Sequence, residues 1–450
     1  MRTGATFAYS RQKFRMVGQA QHEEKRVSTE RIEGLAAVLT AVRNSEGMTQ
    51  PRLTQHVGLG RSVVAQRVAE LESAGLITDD GYGPSTGGRA PRRLRIRAEA
   101  GYVVGVDITA QRLVVGVADL AGTLLAQLEE VVDVADGPDA VLTTAERLID
   151  DHLESIGRIA RVWAIGIGVP GPVEFRTGQP VAPPIMPGWD RYPVRDRLAQ
   201  RYGAPAWLDN DVNLLALAEL RTNPAASAAR NMLYMRADVG VGAGLVVKGE
   251  LYRGANGSAG DIGHVAIPEG GDAICRCGNT GCLEAVAGGA ALAREGRMLA
   301  DTRQSPALAA TLAETGTVRP LDVTLAAEKG DPAARALLQR SAHLLGGMLA
   351  TLVSFYNPNL LVIGGGIVRA RAHVLAAIRE AIYRRSLPLA TQDLRIEMSS
   401  LPDDLGGVTG AVHLALDEVF SPGRLARWLD AGSPAGQPYI ATDDMLERPA

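Results

Sequence analysis

The spacing of apolar residues changes period along the chain. Over 30–46, Ile32, Leu35, Val38, Leu39 and Val42 recur every three or four positions, which predicts a helix with one apolar stripe. A short second helix is predicted over 49–56, with Thr49 as its N-cap and Pro51 in its first turn. Gly58-Leu59-Gly60 marks a turn. A third helix over 61–74 then buries Val64, Val68 and Leu71 and exposes Arg61, Ser62, Ala65, Gln66 and Arg67. Leu76-Ile77-Thr78 opens a strand, 81–88 reads as a loop, and Arg92-Arg93-Leu94-Arg95-Ile96 alternates as the returning strand. Three helices and a hairpin in this order predict a winged helix-turn-helix over 29–98, whose third helix would lie in a major groove.

From Gly101 the pattern turns to strands alternating with helices, an α/β body over 100–420. Residues 102–109 and 112–119 predict a hairpin, with 124–132 as a third strand. About 130 residues later, 231–239, 244–248 and 250–252 repeat that design, and each set leads into helices and further strands such as 164–168 and 360–364. Two β-β-β-α-β halves suggest an internal duplication with a ligand cleft between two lobes. Gly168-Val169-Pro170-Gly171-Pro172 reads as a rigid loop lining that cleft.

Composition narrows the class. Apolar residues make up 46% and charged residues 22% of 450, which suits a globular chain with ample core. No run of eighteen apolar residues occurs and the first 29 residues are polar and basic, so a cytoplasmic protein without a membrane span or signal peptide is expected. Residues 1–28 read as a disordered extension, and 421–450, with four prolines, as a polar tail. The net charge of −3 conceals an asymmetry. Residues 1–97 carry 16 Lys and Arg against 9 Asp and Glu, a balance of +7, and the remainder carries −10. A basic head on an acidic body suits a protein that meets a polyanion at one end. Arg61, Ser62, Gln66 and Arg67 are the candidate contacts from the third helix to bases and phosphates. Arg89, Arg92 and Arg93, in or beside the wing, suit phosphates or a narrow minor groove. The alternative is a helical protein-interaction module carrying arginines; helix order, charge and wing together favour double-stranded DNA.

All three cysteines, Cys275, Cys277 and Cys282, lie within eight residues, shortly after His264. An odd, clustered set argues against a disulfide framework. One imidazole and three thiolates match a closed, tetrahedral, structural Zn²⁺ site, with no position left for a reactive water. The alternative is a redox or unliganded cysteine cluster.

These segments carry a family resemblance. Gly240-Val241-Gly242-Ala243-Gly244, Gly254 through Gly260-Asp261-Ile262-Gly263-His264, and Cys275-Arg276-Cys277 through Gly281-Cys282-Leu283-Glu284 resemble the signatures of the ROK family of repressors, open reading frames and sugar kinases. The resemblance covers roughly 100–420 and, with the head, extends to the family's regulators. It implies a two-lobed, actin-like sugar-kinase fold and a homodimer or homotetramer.

In the family's kinases a glycine-rich first hairpin turn holds ATP phosphates; here it reads Asp107-Ile108-Thr109-Ala110-Gln111, without those glycines. The resemblance places Asn210, Asp211, Asp261, His264 and Glu284 around a sugar, with Asp211 at the position of the kinases' proton-accepting base. Asp261 stands where Glu is usual, and Ile185 where a sugar-binding Asn is expected. An unpaired buried hydroxyl costs about 1–3 kcal/mol, which argues against plain glucose and leaves a modified sugar or another small molecule open. Simpler roles exist too: Asn210 and Asn213 as helix caps, and Glu284 as a first-turn helix carboxylate. The expected function is a transcription regulator, a repressor of carbohydrate metabolism, controlled by a sugar or sugar-phosphate effector. The alternative is an active ATP-dependent sugar kinase with a DNA-binding head.

Overall fold

A computed structural model of the chain describes residues 29–45, 47–83, 90–156, 161–369, 371–402 and 404–442. The extension expected at 1–28, Arg89 in the wing and residues 443–450 lie outside them.

The head has the element order of a winged helix-turn-helix. Helices span 29–43, Gln50–Val57 and Arg61–Ser73, followed by strands Ile77–Tyr82 and Arg92–Ile96. Leu35, Leu39, Val42, Leu53, Val68, Leu71, Leu76 and Leu94 close a small core among them. Gly58 ends the second helix in the left-handed region, at φ 68°, and so turns the chain sharply into the third. Met48–Thr49 adds a short strand that pairs with Arg93 and Leu94, an element the sequence pattern does not signal. The first helix ends three residues earlier than its stripe suggests.

The body repeats one sheet design. In the first lobe the strand order is Ala206–Asn210, Val162–Val169, Tyr102–Ile108, Arg112–Asp119, Leu124–Val131. In the second it is Arg395–Met398, Leu360–Gly364, Asn231–Ala237, Val241–Val247, Glu250–Tyr252. In each lobe three antiparallel strands are extended by two parallel ones. This matches the β-β-β-α-β duplication, with a fifth strand per lobe beyond the sequence reading.

Helix Gly406–Val419 seals the first-lobe sheet. A Cβ on Gly166 would lie 1.8 Å from the Ala411 carbonyl oxygen, and one on Gly410 would lie 2.0 Å from that of Leu214. Only glycine lets these backbones meet so closely. Leu214 belongs to helix Asp211–Thr222, so sheet and both helices share one tight seam. Buried side chains of the head run into this core without a break. The connection is equally short: Arg92–Ile96 passes through one turn, Ala98–Ala100, into Tyr102–Ile108.

The expected polar tail at 421–450 is corrected for its first two-thirds. Residues Pro422–Trp428 form a helix whose Leu425 and Trp428 are fully buried, and Ile440 and Ala441 are buried beyond it. The Trp428 indole N–H donates to the Val419 carbonyl at 2.9 Å, and its ring meets Trp163 edge-on at 5.5 Å. A few large apolar anchors outweigh the prolines and polar residues between them. Trp428→Ala should therefore cost about 3–5 kcal/mol, measured as a lower urea midpoint. A change under about 0.5 kcal/mol, the scale of a surface substitution, would show that the segment is a loose tail.

Candidate functional site

A cavity of about 340 Å³ opens between the lobes, lined by both halves of the duplication. Pro170, Gly171 and Pro172 supply part of its wall, as does Ile185, which presents only methyl and methylene groups.

Asn210 ends a first-lobe strand and caps helix Asp211–Thr222. Its Oδ1 accepts the Val212 N–H at 2.9 Å, and its Nδ2 donates to the Gly171 carbonyl at 3.0 Å. The capping role is therefore real, and it ties the helix start to the cleft loop. Asn213 donates to Asp209, whose other oxygen takes the Arg253 guanidinium at 2.6 Å. Asn213 thus braces the helix from within.

Asp211, in the first turn, is buried and ion-paired with Arg236, which also donates to Asp238 at 3.1 Å. Burial pushes the Asp211 carboxyl above its ordinary range, and the Arg236 guanidinium opposes that rise. Asp107 sits nearby at the end of its strand. It is buried, its Oδ1 accepts no hydrogen bond among the described residues, and desolvation raises its pKa to about 6.

Glu284 opens the short helix Leu283–Ala287. Its Oε2 accepts the Val241 N–H and its Oε1 accepts Arg276, both at 3.0 Å. Asp261, nearly half exposed, places Oδ1 3.9 Å from His264 Nε2. The structure thus brings Asn210, Asp211, Asp261, His264 and Glu284 to one cavity.

The sequence reading missed Arg236 and Arg276. Each left a trace: Arg236 is the lone charge in the buried strand Asn231–Ala237, and Arg276 stands between two candidate metal ligands.

A second cavity, of about 790 Å³, lies beyond. Thr109, Gln111, Arg236, Asp238 and Val239 line both cavities. In the first hairpin turn, the Thr109 N–H donates to the Arg112 carbonyl at 2.8 Å, within the hairpin itself.

His264, Cys275, Cys277 and Cys282 gather with all ligand atoms within 4.8 Å of one another. Cys277 and Cys282 sulfurs are 3.8 Å apart, and Cys275 Sγ is 3.5 Å from His264 Nδ1. A tetrahedron with metal–sulfur bonds of about 2.3 Å and metal–nitrogen bonds of about 2.0 Å has edges of about 3.8 and 3.5 Å. Those two edges match, so the cluster could hold a metal ion. Gly278 and Gly281, at φ 89° and 77°, fold the loop back on itself. His264 directs Nδ1 to the cysteines and Nε2 toward Asp261, so one ring serves both cluster and cleft.

On the head, Arg61, Ser62 and Gln66 are exposed on the third helix. Arg67 is not on that open face: its side chain is largely buried and donates to Glu70 at 2.8 Å, with Arg31 on the same carboxylate. Lying three residues after Val64 and four before Leu71, it flanks the apolar stripe and turns inward. Arg92 bonds Glu72 and Asp79, and Arg93 faces Asp80 at 3.3 Å. Exposed pairs of this kind contribute only about 0–1 kcal/mol, so a phosphate can displace them.

The chain is similar to known proteins over both parts. It is 26% identical over 385 residues to a xylose repressor of Caldicellulosiruptor bescii, covering 85% of this chain and 95% of that one. A glucokinase of Halalkalibacterium halodurans is 32% identical, covering 69% of this chain and 93% of its own. The crystal structure of a ROK family transcriptional regulator, a homolog of the E. coli MLC protein, shares the fold. Its TM-score is 0.74 at 23% identity, over 89% of this chain and all of that one. The ROK family model matches residues 103–418, well over half of the 450, and this chain belongs to the ROK family.

Proposed function

We propose that the chain is a DNA-binding transcription regulator, specifically a repressor, whose operator affinity is set by a sugar or sugar-derived effector held between the lobes. The observation that carries the reading is the union of two parts. A helix presenting Arg61, Ser62 and Gln66 to solvent shares one continuous core with a body whose cleft gathers hydroxyl acceptors. The likeness to xylose repressors supports it, because 385 aligned residues reach beyond the body. The effector prefers one closure of the lobes, and that preference shifts the placement of paired heads in a homodimer or homotetramer. No described helix is long and apolar enough to cross a membrane, and a cytoplasmic setting fits this role.

The competing reading, an ATP-dependent sugar kinase, draws on the glucokinase likeness. Arg236 argues against it. An ion pair with Arg236 stabilises the Asp211 carboxylate and weakens it as a base, and the same arginine lines both cavities, between which a phosphoryl group would pass. Asp211 then serves as a hydroxyl acceptor alone. In a coupled ADP-release assay across xylose, glucose and amino sugars, no turnover above background is expected. Turnover abolished by Asp211→Asn establishes the kinase.

The metal is zinc, with a structural role. One zinc per chain is expected in protein purified without chelators. Cys277→Ser should lose it and lower the melting temperature, since metal binding contributes folding free energy. Elemental analysis checks the content, and a metal-free wild-type chain overturns the assignment.

For the head, Arg92→Ala or Arg93→Ala should weaken binding to operator and random duplex alike. The slope of log K against log salt should fall by about 0.9 per lost phosphate contact. Gln66→Ala should instead lose about 1–3 kcal/mol of discrimination and leave random binding nearly unchanged. Titrations at several salt concentrations compare them. If the wing arginines alter sequence preference and Gln66 does not, the wing is the reading element.

A further inference from the structure

Two helices run in parallel from the cleft to the head. Helix Asp211–Thr222 starts at the cleft carboxylate Asp211 and ends beside Arg221. Helix Gly406–Val419 starts against Asp107, whose carboxylate fills the space a side chain on Gly407 would need. Their backbones touch where Gly410 meets Leu214, seven residues before each helix reaches Asp417 and Arg221. At that far end Arg221 donates to Asp417 Oδ2 at 2.6 Å, and Arg43, the last residue of the head's first helix, bonds Asp417 Oδ1. Each oxygen of one carboxylate therefore serves a different part of the protein.

The junction is poorly suited to a merely adhesive role. Arg43 has a side chain only 2% exposed, and its Nη1 has no hydrogen-bond partner among the described residues. Close by, half-buried His413 has its Nδ1 buried and unpartnered among the described residues. Two guanidinium groups share one carboxylate at a point where apolar side chains would hold the head more simply. A contact so balanced responds to small shifts of either helix. We propose that Asp417 is a positioning residue that couples the effector cleft to the DNA-reading head. A change at Asp211 moves helix Asp211–Thr222, Arg221 moves with it, and Asp417 redistributes its bond to Arg43. This inference rests on the regulator reading.

The test measures the ratio of duplex affinity without and with saturating sugar, on a duplex selected by the wild-type chain from a random library. Xylose is the first probe and glucose the second. Couplings of this kind are typically about 5–150-fold. Asp417→Asn preserves shape and removes the charge, and the ratio should fall to within about twofold of unity. Sugar affinity and sugar-free duplex affinity should stay within about threefold of wild type. Arg221→Gln, which leaves the Arg43–Asp417 bond in place, should lower the ratio as well and serves if the first variant does not fold. A variant that loses thermal stability but keeps the wild-type ratio shows that Asp417 is only structural, and the coupling is overturned. A wild-type ratio of one with both of these and with a panel of amino sugars and sugar phosphates overturns the regulator reading and the coupling with it, a different result from the first.

Discussion

The placement of helix Gly406–Val419 governs the rest of the molecule. It can lie so deep only because Gly166 in the sheet and Gly410 in the helix remove the side chains that would hold backbones apart. At this depth the helix locks against the first-lobe sheet on one side and helix Asp211–Thr222 on another. Its first turn then abuts Asp107, its last turn carries Asp417, and Phe420 just beyond it joins the C-terminal tryptophan cluster. A methyl group at either glycine would displace cleft, head contact and C-terminal segment together. Close packing makes such a seam intolerant of added volume.

The cleft holds its carboxylates in place through contacts within the chain. Asp211 and Glu284 each have one oxygen committed to an arginine, and Glu284 accepts a backbone N–H as well. Such carboxylates are held in position before a ligand arrives, at little cost in ordering when it binds. His264 extends this to the cysteine loop, since the ring that lines the cleft holds Nδ1 against the sulfurs.

Much of this was legible in the residues, for identifiable reasons. The third head helix was bounded to within a residue because its apolar stripe is interrupted by glycine on one side and followed by a strand on the other. The cysteine cluster was legible because four soft donors fall within nineteen residues of one another, from His264 to Cys282. The duplication was legible from three strands repeated at a fixed interval. What escaped depended on contacts distant in sequence. Ala206–Asn210 and Arg395–Met398 are short strands stabilised by neighbours, not by their own pattern. Arg67 reads as exposed until its flank of the stripe is matched with Glu70. Arg236 has a role only once Asp211, 25 residues earlier, folds beside it.

The junction between head and body has a metrical consequence. A single turn joins the last head strand to the first body strand, and one core runs through both, so the head cannot swing on a tether. In an assembly of such chains the separation and rotational phase of the heads are set by how the bodies meet. Under the proposed function, an assembly of such chains gauges its target as a calliper does, the opening of its jaws set by the frame.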